Sequence, residues 1–251
     1  MATGKSAYSA QDMIGLLSII AMGFFLGMRH ATDPDHVIAV TTIVGRQRNL
    51  ARAALVGAFW GLGHTLTIFV VGTAIILFNL VIPPRVGLSM EFSVGIMLVV
   101  LGFLNIRGFL RSMPAHDPEV HPHPLSQTPL ARLDRLFARA TLYQHLRPLV
   151  VGIVHGLAGS AAVALLVLTT VRDSTWAVAY LLVFGVGTIV GMMVITVGIA
   201  SSFRVVARTQ GIERRLAMAS GLLSLAFGLV VAYQILMVNG LFSAHLQWTP
   251  R

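Results

Sequence analysis

Several ionisable side chains lie close together in one short stretch of an otherwise apolar sequence. Residues 27 to 36 read Gly-Met-Arg-His-Ala-Thr-Asp-Pro-Asp-His and are flanked on both sides by apolar runs. Ionisable side chains are costly at the depth of a bilayer and usually mark a functional site there. Because carboxylate oxygens and neutral imidazoles are ligands for divalent cations, the stretch predicts a metal-ion site.

Pro34 predicts a break in the helix that would carry this site. Proline has no N–H, so the carbonyl of His30 is expected to be free beside the His30 imidazole. Asp33 precedes proline, which disfavours helical dihedrals, and aspartate is a favourable N-cap. We therefore expect a second half-helix to begin at Pro34, with its positive dipole end favouring ionised carboxylates.

Few other polar side chains are predicted at membrane depth. Of the nine acids only Asp33 and Asp35 are expected there, and Glu91 is placed with the acids of loops and helix ends. The sequence has no cysteine, so thiolate ligands are excluded. The predicted metal ligands are His30, Asp33, Asp35, His36 and His64. The residues predicted to support the site or to line the ion pathway are Arg29, Thr65 and His155.

Each ligand has an alternative interpretation. Asp33 could be only a cap and a partner of Arg29, which we expect either to pair with Asp33 or to face the external surface. Asp35 and His36 could form a hydrogen-bonded pair that lines a pore without binding metal. His64, a single histidine on an apolar helix, could be a core histidine with its hydrogen bonds satisfied.

Composition predicts an all-α polytopic membrane protein. The 251 residues are 56% hydrophobic and 11% charged, with a mean hydropathy of +0.81. About 20 apolar residues are needed to cross about 30 Å of hydrocarbon as a helix. About six such spans are predicted, the first of them discontinuous, at residues 13–44, 53–81, 88–110, 148–171, 175–203 and 215–238.

The formal charge of +9 follows a topological pattern and does not indicate nucleic-acid binding. With six crossings, thirteen arginines fall on one side of the membrane and four basic residues on the other. Positive residues favour the cytoplasmic side, which places loops 46–52, 111–147 and 204–214 in the cytoplasm and both termini outside. We expect a bacterial inner (plasma) membrane protein.

The second half of the chain resembles the first. Three glycine-containing stretches match at nearly constant offsets: residues 27–30 with 152–155, residues 61–63 with 185–187, and residues 95 and 102 with 221 and 228. Three crossings per repeat would make the two repeats inverted, although glycine is common in membrane helices and chance matches are the alternative. Inverted-repeat transporters hold their site near the bilayer midplane, on discontinuous helices.

This organisation predicts three parts. Residues 1–110 form a first three-helix repeat with the metal signature, and residues 148–251 form a second repeat. Residues 111–147 form a cytoplasmic linker that contains prolines and histidines, with an interfacial helix over residues 130–146. The linker histidines could bind metal weakly, or the linker could be simply solvated.

The residues of the first repeat resemble the nickel/cobalt transporter family. His30, Asp35 and His36 fit its His-x4-Asp-His signature, and residues 62–65, Leu-Gly-His-Thr, are similar to its Leu-Gly-His-Ser motif. The later acidic motifs of that family are missing here. In this respect the chain resembles the urease-cluster and plastid-type relatives of the family more closely. The resemblance implies that His30, Asp35, His36 and His64 recognise metal, with Asp33 alongside.

The predicted function is a permease for divalent transition-metal ions, most favourably nickel or cobalt, working in uptake. Zinc is chemically possible as cargo, no prosthetic group is expected, and a metallochaperone or accessory subunit is a possible partner besides the lipid bilayer. The sequence has no nucleotide-binding motif, so transport energy would come from an ion gradient, the membrane potential or a separate subunit. The alternatives are efflux by the same site and a zinc-dependent intramembrane hydrolase.

Overall fold

The computed structural model describes residues 10–45, 47, 49–111, 141–171, 173–206, 212–243 and 246–248. Within these ranges the chain is helical and contains no strand. The seven α-helices are α1 Ala10–His30, α2 Pro34–Val44, α3 Leu50–Phe78, α4 Pro84–Arg111, α5 Thr141–Thr170, α6 Ser174–Val206 and α7 Ile212–Tyr233, and a π-helical turn Gln234–Val238 follows α7. The predicted linker histidines and most of the predicted interfacial helix lie outside the described residues.

The predicted helix break at Pro34 is confirmed. The α1 helix ends at His30, α2 begins at Pro34, and Asp33 between them has an extended ψ of 144°. The His30 carbonyl is not free, however, because it accepts the backbone N–H of Asp33 at 3.1 Å, while Arg29 accepts that of Thr32 at 2.8 Å. The last turn of α1 therefore has backbone hydrogen bonds between residues three apart. One of these bonds satisfies the His30 carbonyl, whose usual donor would be the N–H that Pro34 lacks.

Four described helices are long and apolar enough to cross a membrane. They are Leu50–Phe78, Pro84–Leu110, Ser174–Val206 and Arg215–Val238, and they coincide with four of the six predicted spans. The other two predicted spans overlap the shorter apolar segments Leu17–His30, Pro34–Val44 and Leu146–Ser160. The α5 helix begins seven residues before the predicted start of its span and continues through Pro148, as membrane helices often do.

Glycines allow the long helices to approach each other closely. The α3 helix packs against both α5 and α6, α1 packs against α6, and α4 packs against α7. A Cβ on Gly27 would overlap the carbonyl oxygen of Phe184, and a Cβ on Gly152 would overlap that of Trp60. Small residues at these positions let the backbones meet, which is the usual basis of helix association in membranes.

These approaches recur in matching positions of the two halves. Four glycines of α1, α3, α5 and α6 each face a backbone carbonyl of a neighbouring helix. The pairs are Gly27 with Phe184, Gly152 with Trp60, Gly63 with Leu149, and Gly187 with Phe24. Each partner in the first half corresponds to a partner in the second half at the offset of 124 or 125 that the sequence predicts.

The short α2 helix is anchored in the protein core. Its residues Ala39, Val40 and Val44 are fully buried and belong to one apolar cluster with Trp60 and Met192. The α2 helix contacts α3, α4, α6 and α7, so its first turn is held at a fixed place among the long helices. That first turn carries Asp35 and His36.

Candidate metal-ion site

Four histidines from four helices converge at the break between α1 and α2. His30 ends α1, His36 lies in the first turn of α2, and His64 and His155 lie near the middle of α3 and α5. The centroid of the His36 ring lies 4.8 Å from that of His30, 5.0 Å from that of His64 and 4.0 Å from that of His155. His36, His64 and His155 are buried, so the cluster lies at mid-depth of the long helices.

Three of these imidazoles form a compact set of possible ligands. One ring nitrogen from each of His30, His36 and His64 can be chosen so that all three lie within 4.8 Å of one another. The Nε2 atoms of His30 and His64 are 3.0 Å apart. Among the residues that the structure describes, His36 Nε2 and His64 Nδ1 are buried and have no hydrogen-bond partner. A buried polar atom without a partner costs about 1–3 kcal/mol, and a cation that takes up the lone pair would remove that cost.

The Asp35 carboxylate connects α2 with α5. Its Oδ1 lies 3.0 Å from both the backbone nitrogen and the Nδ1 of His36, and its Oδ2 lies 2.9 Å from Nε2 of His155. The Asp35 side chain is 32% exposed, whereas both histidine side chains are 2% exposed. Asp35 therefore orients two buried imidazoles and still has access to the adjoining cavity.

Asp33 is an N-cap by position but not through its side chain. Its carboxylate makes no capping hydrogen bond, and its Oδ2 lies 2.8 Å from Nδ1 of His30. This contact fixes the His30 ring and leaves Nε2 directed toward His64. Arg29, predicted either to pair with Asp33 or to face the external surface, has an exposed side chain and lines the cavity.

A cavity of about 630 Å³ leads to the histidine cluster. Its wall includes Glu91 of α4 and, from the region that follows α7, Gln234 and Asn239. The placement of Glu91 in a loop or at a helix end is therefore wrong, because α4 begins at Pro84 and carries Glu91 two turns into the helix. Trp248 donates its Nε1–H to Glu91 Oε1 at 2.9 Å.

Trp60 is a neighbour of the site that the sequence did not suggest. It is fully buried, and its ring is nearly parallel to that of His36, with a centroid distance of 6.3 Å and an interplanar angle of 12°. The centroid of His155 is 5.7 Å away. Trp60 precedes His64 by four residues, so the two share a face of α3. This spacing could have predicted that Trp60 lies beside the site.

Thr65 and His155, both predicted near the pathway, have different surroundings. The Thr65 hydroxyl donates to the carbonyl oxygen of Gly185 at 3.1 Å and so ties α3 to α6, away from the cavity wall. His155 lines the cavity and contacts Asp35. The sequence favoured His155 less than His64 because no acid precedes or follows it closely, but the fold supplies the acid from α2.

The helices and the site define a class: an integral membrane protein of apolar helices around an imidazole-rich cavity. Residues 16–115 match the NicO family, described as high-affinity nickel-transport protein. The chain is 38% identical over 231 residues to the urease accessory protein UreH of Bacillus sp. (strain TB-90), which covers 92% of this chain and 97% of that protein. It is 29% identical over 217 residues to the chloroplast protein FOR GROWTH AND FERTILITY 2 of Arabidopsis thaliana, covering 83% of this chain and 54% of that protein.

The chain belongs to the NicO family of nickel transporters. The resemblance to urease-cluster and plastid-type relatives, predicted from the signature and from the missing acidic motifs, is confirmed. NicO is a family of transporters and not of enzymes, which removes the intramembrane hydrolase as an alternative. No solved structure matches the chain.

Proposed function

We propose that this protein carries nickel or cobalt ions into the cell and binds each ion between His30, His36 and His64 on the way. The observation that carries the proposal is the convergence of three histidines on the wall of a cavity, with ring nitrogens within 4.8 Å of one another and with His36 Nε2 buried and without a partner among the described residues. A divalent ion needs neutral imidazoles, and buried rings favour the neutral form.

The donor set supports nickel or cobalt as cargo. Imidazole nitrogens and carboxylate oxygens suit nickel and cobalt, and also zinc and copper. The chain has no cysteine, and so it lacks the thiolate ligands that select softer ions. In the proposal Asp33 holds the His30 ring from behind, and Asp35 does the same for His36. Carboxylates that accept the second ring N–H of a ligand fix its orientation and raise its basicity.

The repeat pattern supports an alternating-access mechanism. The matching close approaches, Gly27 on Phe184 with Gly152 on Trp60, are what two three-helix units related by a two-fold axis in the membrane plane would make. Transporters with inverted repeats bind cargo near the midplane and expose it by rocking one unit against the other. We therefore propose six crossings, with α1 and α2 together forming a discontinuous first span.

The proposed direction is supported by the residues that line the cavity. Its wall contains Glu91, two turns into α4 from the Pro84 end, and Asn239 after α7, and the charge distribution predicts that these ends of the two helices are external. This arrangement supports loading from outside and release to the cytoplasm of a bacterium. The relative named a urease accessory protein suggests that an accessory protein or metallochaperone receives the ion there.

Transport by purified protein in liposomes tests the proposal. We expect ⁶³Ni²⁺ or ⁵⁷Co²⁺ to accumulate inside, and His36→Ala to abolish accumulation because it removes the central imidazole. The control is His121→Ala, which changes a histidine of the predicted linker. Accumulation by His36→Ala at the wild-type rate would disprove the proposed site.

Direction requires a second measurement. Right-side-out vesicles from cells that express the protein should take up the ion, and inside-out vesicles should take up much less under the same gradient. The reverse ratio would indicate efflux, the alternative that the histidine-containing linker of residues 111–147 favours.

A further inference from the structure

A second set of possible metal ligands overlaps the first. Ligand atoms of Asp35, His36 and His155 also lie within 4.8 Å of one another, and this set shares only His36 with the group of three histidines. The shared ring lies between the two sets, with its centroid 5.0 Å from that of His64 and 4.0 Å from that of His155. Both sets line the same cavity.

His36 Nδ1 contacts the second set, which leaves Nε2 as the nitrogen that this ring can offer to the first set. Nδ1 lies 3.0 Å from Oδ1 of Asp35, which belongs to the second set, while Nε2 has no partner among the described residues. A neutral imidazole has one lone pair in the ring plane and one N–H. His36 can therefore bind an ion through Nε2 or through Nδ1, but not through both while the ring stays neutral.

We propose that Asp35, His36 and His155 form a second ion position, occupied alternately with the position formed by His30, His36 and His64. The inference rests on the proposed transport function and describes how the ion moves through that site. The first position offers three nitrogens, whereas the second offers two nitrogens and a carboxylate oxygen. One ion is bound per chain at any time because His36 serves both positions.

The move of the ion between the two positions changes the tautomers of His36 and His155 without adding or removing a proton. With the ion in the first position, Nδ1–H of His36 and Nε2–H of His155 both donate to Asp35. With the ion in the second position, those protons reside on His36 Nε2 and His155 Nδ1, two buried atoms that have no other partner among the described residues. Each histidine changes its tautomer, and no net proton is gained or lost.

Two adjacent positions have a clear use in transport. An ion must bind strongly enough to enter a pathway and weakly enough to leave it, which several overlapping sites achieve better than one tight site. The Asp35 side chain is 32% exposed, so the second position also reaches the cavity. Two positions on either side of one imidazole shorten the distance over which the ion lacks protein ligands at mid-depth.

Binding measurements on the purified full chain with Co²⁺ alone test the inference. His30→Ala removes the first position and leaves the second intact. His155→Gln removes an imidazole of the second position, while its amide can still donate to Asp35 in place of Nε2–H. We expect each single variant to bind one Co²⁺ per chain, the double variant to lose binding by at least about 100-fold, and His36→Ala to lose it as well.

The cobalt absorption spectrum gives an independent readout. The two single variants should give different visible spectra, because one site has three nitrogen ligands and the other has a carboxylate oxygen in place of one nitrogen. Identical spectra, loss of binding in either single variant, or full binding in the double variant would each overturn the inference. If His36→Ala bound cobalt normally, the proposed function would fail first, which distinguishes the two failures.

Discussion

Asp35 and His155 are 120 residues apart in sequence, and the carboxylate Oδ2 of one lies 2.9 Å from the imidazole Nε2 of the other. This contact joins the first turn of α2 to the middle of α5. The same carboxylate also contacts His36 Nδ1, so a single acid orients rings on two helices. The geometry of the histidine cluster therefore depends on the relative position of the two halves of the chain.

Replacement of Asp35 by Asn should weaken metal binding strongly. The carboxylate uses one oxygen for His36 and the other for His155. An amide has only one acceptor oxygen and no charge, so it cannot replace both contacts. Loss of a carboxylate that supports a metal-ligating histidine typically lowers affinity about 10–100-fold. Isothermal titration of Ni²⁺ into the purified protein measures the change.

The matched control for this prediction is Asp33→Asn. Within the described part of the chain the Asp33 carboxylate pairs with one imidazole, that of His30, and the Asp33 side chain is 46% exposed, so solvent can replace part of this interaction. We expect a smaller loss of Ni²⁺ affinity than for Asp35→Asn. An equal loss would contradict the prediction, and a larger loss would show that Asp33, and not Asp35, is the main carboxylate of the site.

Alanine at Gly27 or Gly152 should destabilise the protein to a similar extent. Each added Cβ would overlap a backbone carbonyl of the neighbouring helix, that of Phe184 or Trp60, and backbone cannot move aside as a flexible side chain can. Overpacking costs about 1–3 kcal/mol. Thermal unfolding in detergent should show a lowered Tm for both variants.

Gly198→Ala is the control, because a Cβ at Gly198 of α6 meets nothing within 4 Å. Its Tm should equal that of the wild type or exceed it, since alanine favours helix over glycine by about 1 kcal/mol. A loss of stability at only one of Gly27 and Gly152 would argue against equivalent packing in the two halves.

The sequence predicted the helices that carry the site better than the side-chain contacts between those helices. Pro34 specifies the break between α1 and α2 by local chemistry, and the apolar runs specify the long helices by length, so both could be inferred without a fold. The partner of His155 could not, because the acid that it contacts is Asp35 on another helix. Glu91 was misplaced because α4 begins at Pro84, before the predicted start of its span, so that Glu91 lies two turns inside the helix and lines the cavity.

The Asp33 side chain shows where a local rule was overridden. Aspartate before proline favours capping, yet the carboxylate contacts Nδ1 of His30 instead of the free backbone N–H groups of α2. An imidazole held at 2.8 Å competes with those N–H groups, and its position depends on α1. Only the relative orientation of α1 and α2, which the sequence pattern does not specify, decides between the two partners.

Nickel bound at the histidine cluster should quench the fluorescence of Trp60. Open-shell Ni²⁺ quenches indole emission at short range, and the Trp60 ring centroid is 6.3 Å from that of His36. Closed-shell Zn²⁺ should bind without this quenching. Emission spectra recorded during titration with each ion measure the effect.

Two variants assign that signal. Trp60→Phe should remove the nickel-dependent quenching, and Trp176→Phe should retain it, because Trp176 is 43% exposed at the start of α6, whereas His64 and His155 lie near the middle of their helices. Quenching that persists in Trp60→Phe would place the bound nickel elsewhere.

The absence of cysteine makes the proposed topology directly measurable. Single cysteines introduced into the native chain report which side of the membrane each loop occupies, since a membrane-impermeant maleimide labels only external thiols in intact cells. Val81→Cys lies between α3 and α4 at a position that is 90% exposed, on the side predicted to be external. Ser126→Cys lies in the predicted cytoplasmic linker of residues 111–147.

We expect Val81→Cys to be labelled in intact cells and Ser126→Cys only after lysis, because thirteen arginines favour the side of the linker. Labelling of Ser126→Cys before lysis would reverse the orientation, and with it the side from which the cavity loads its ion.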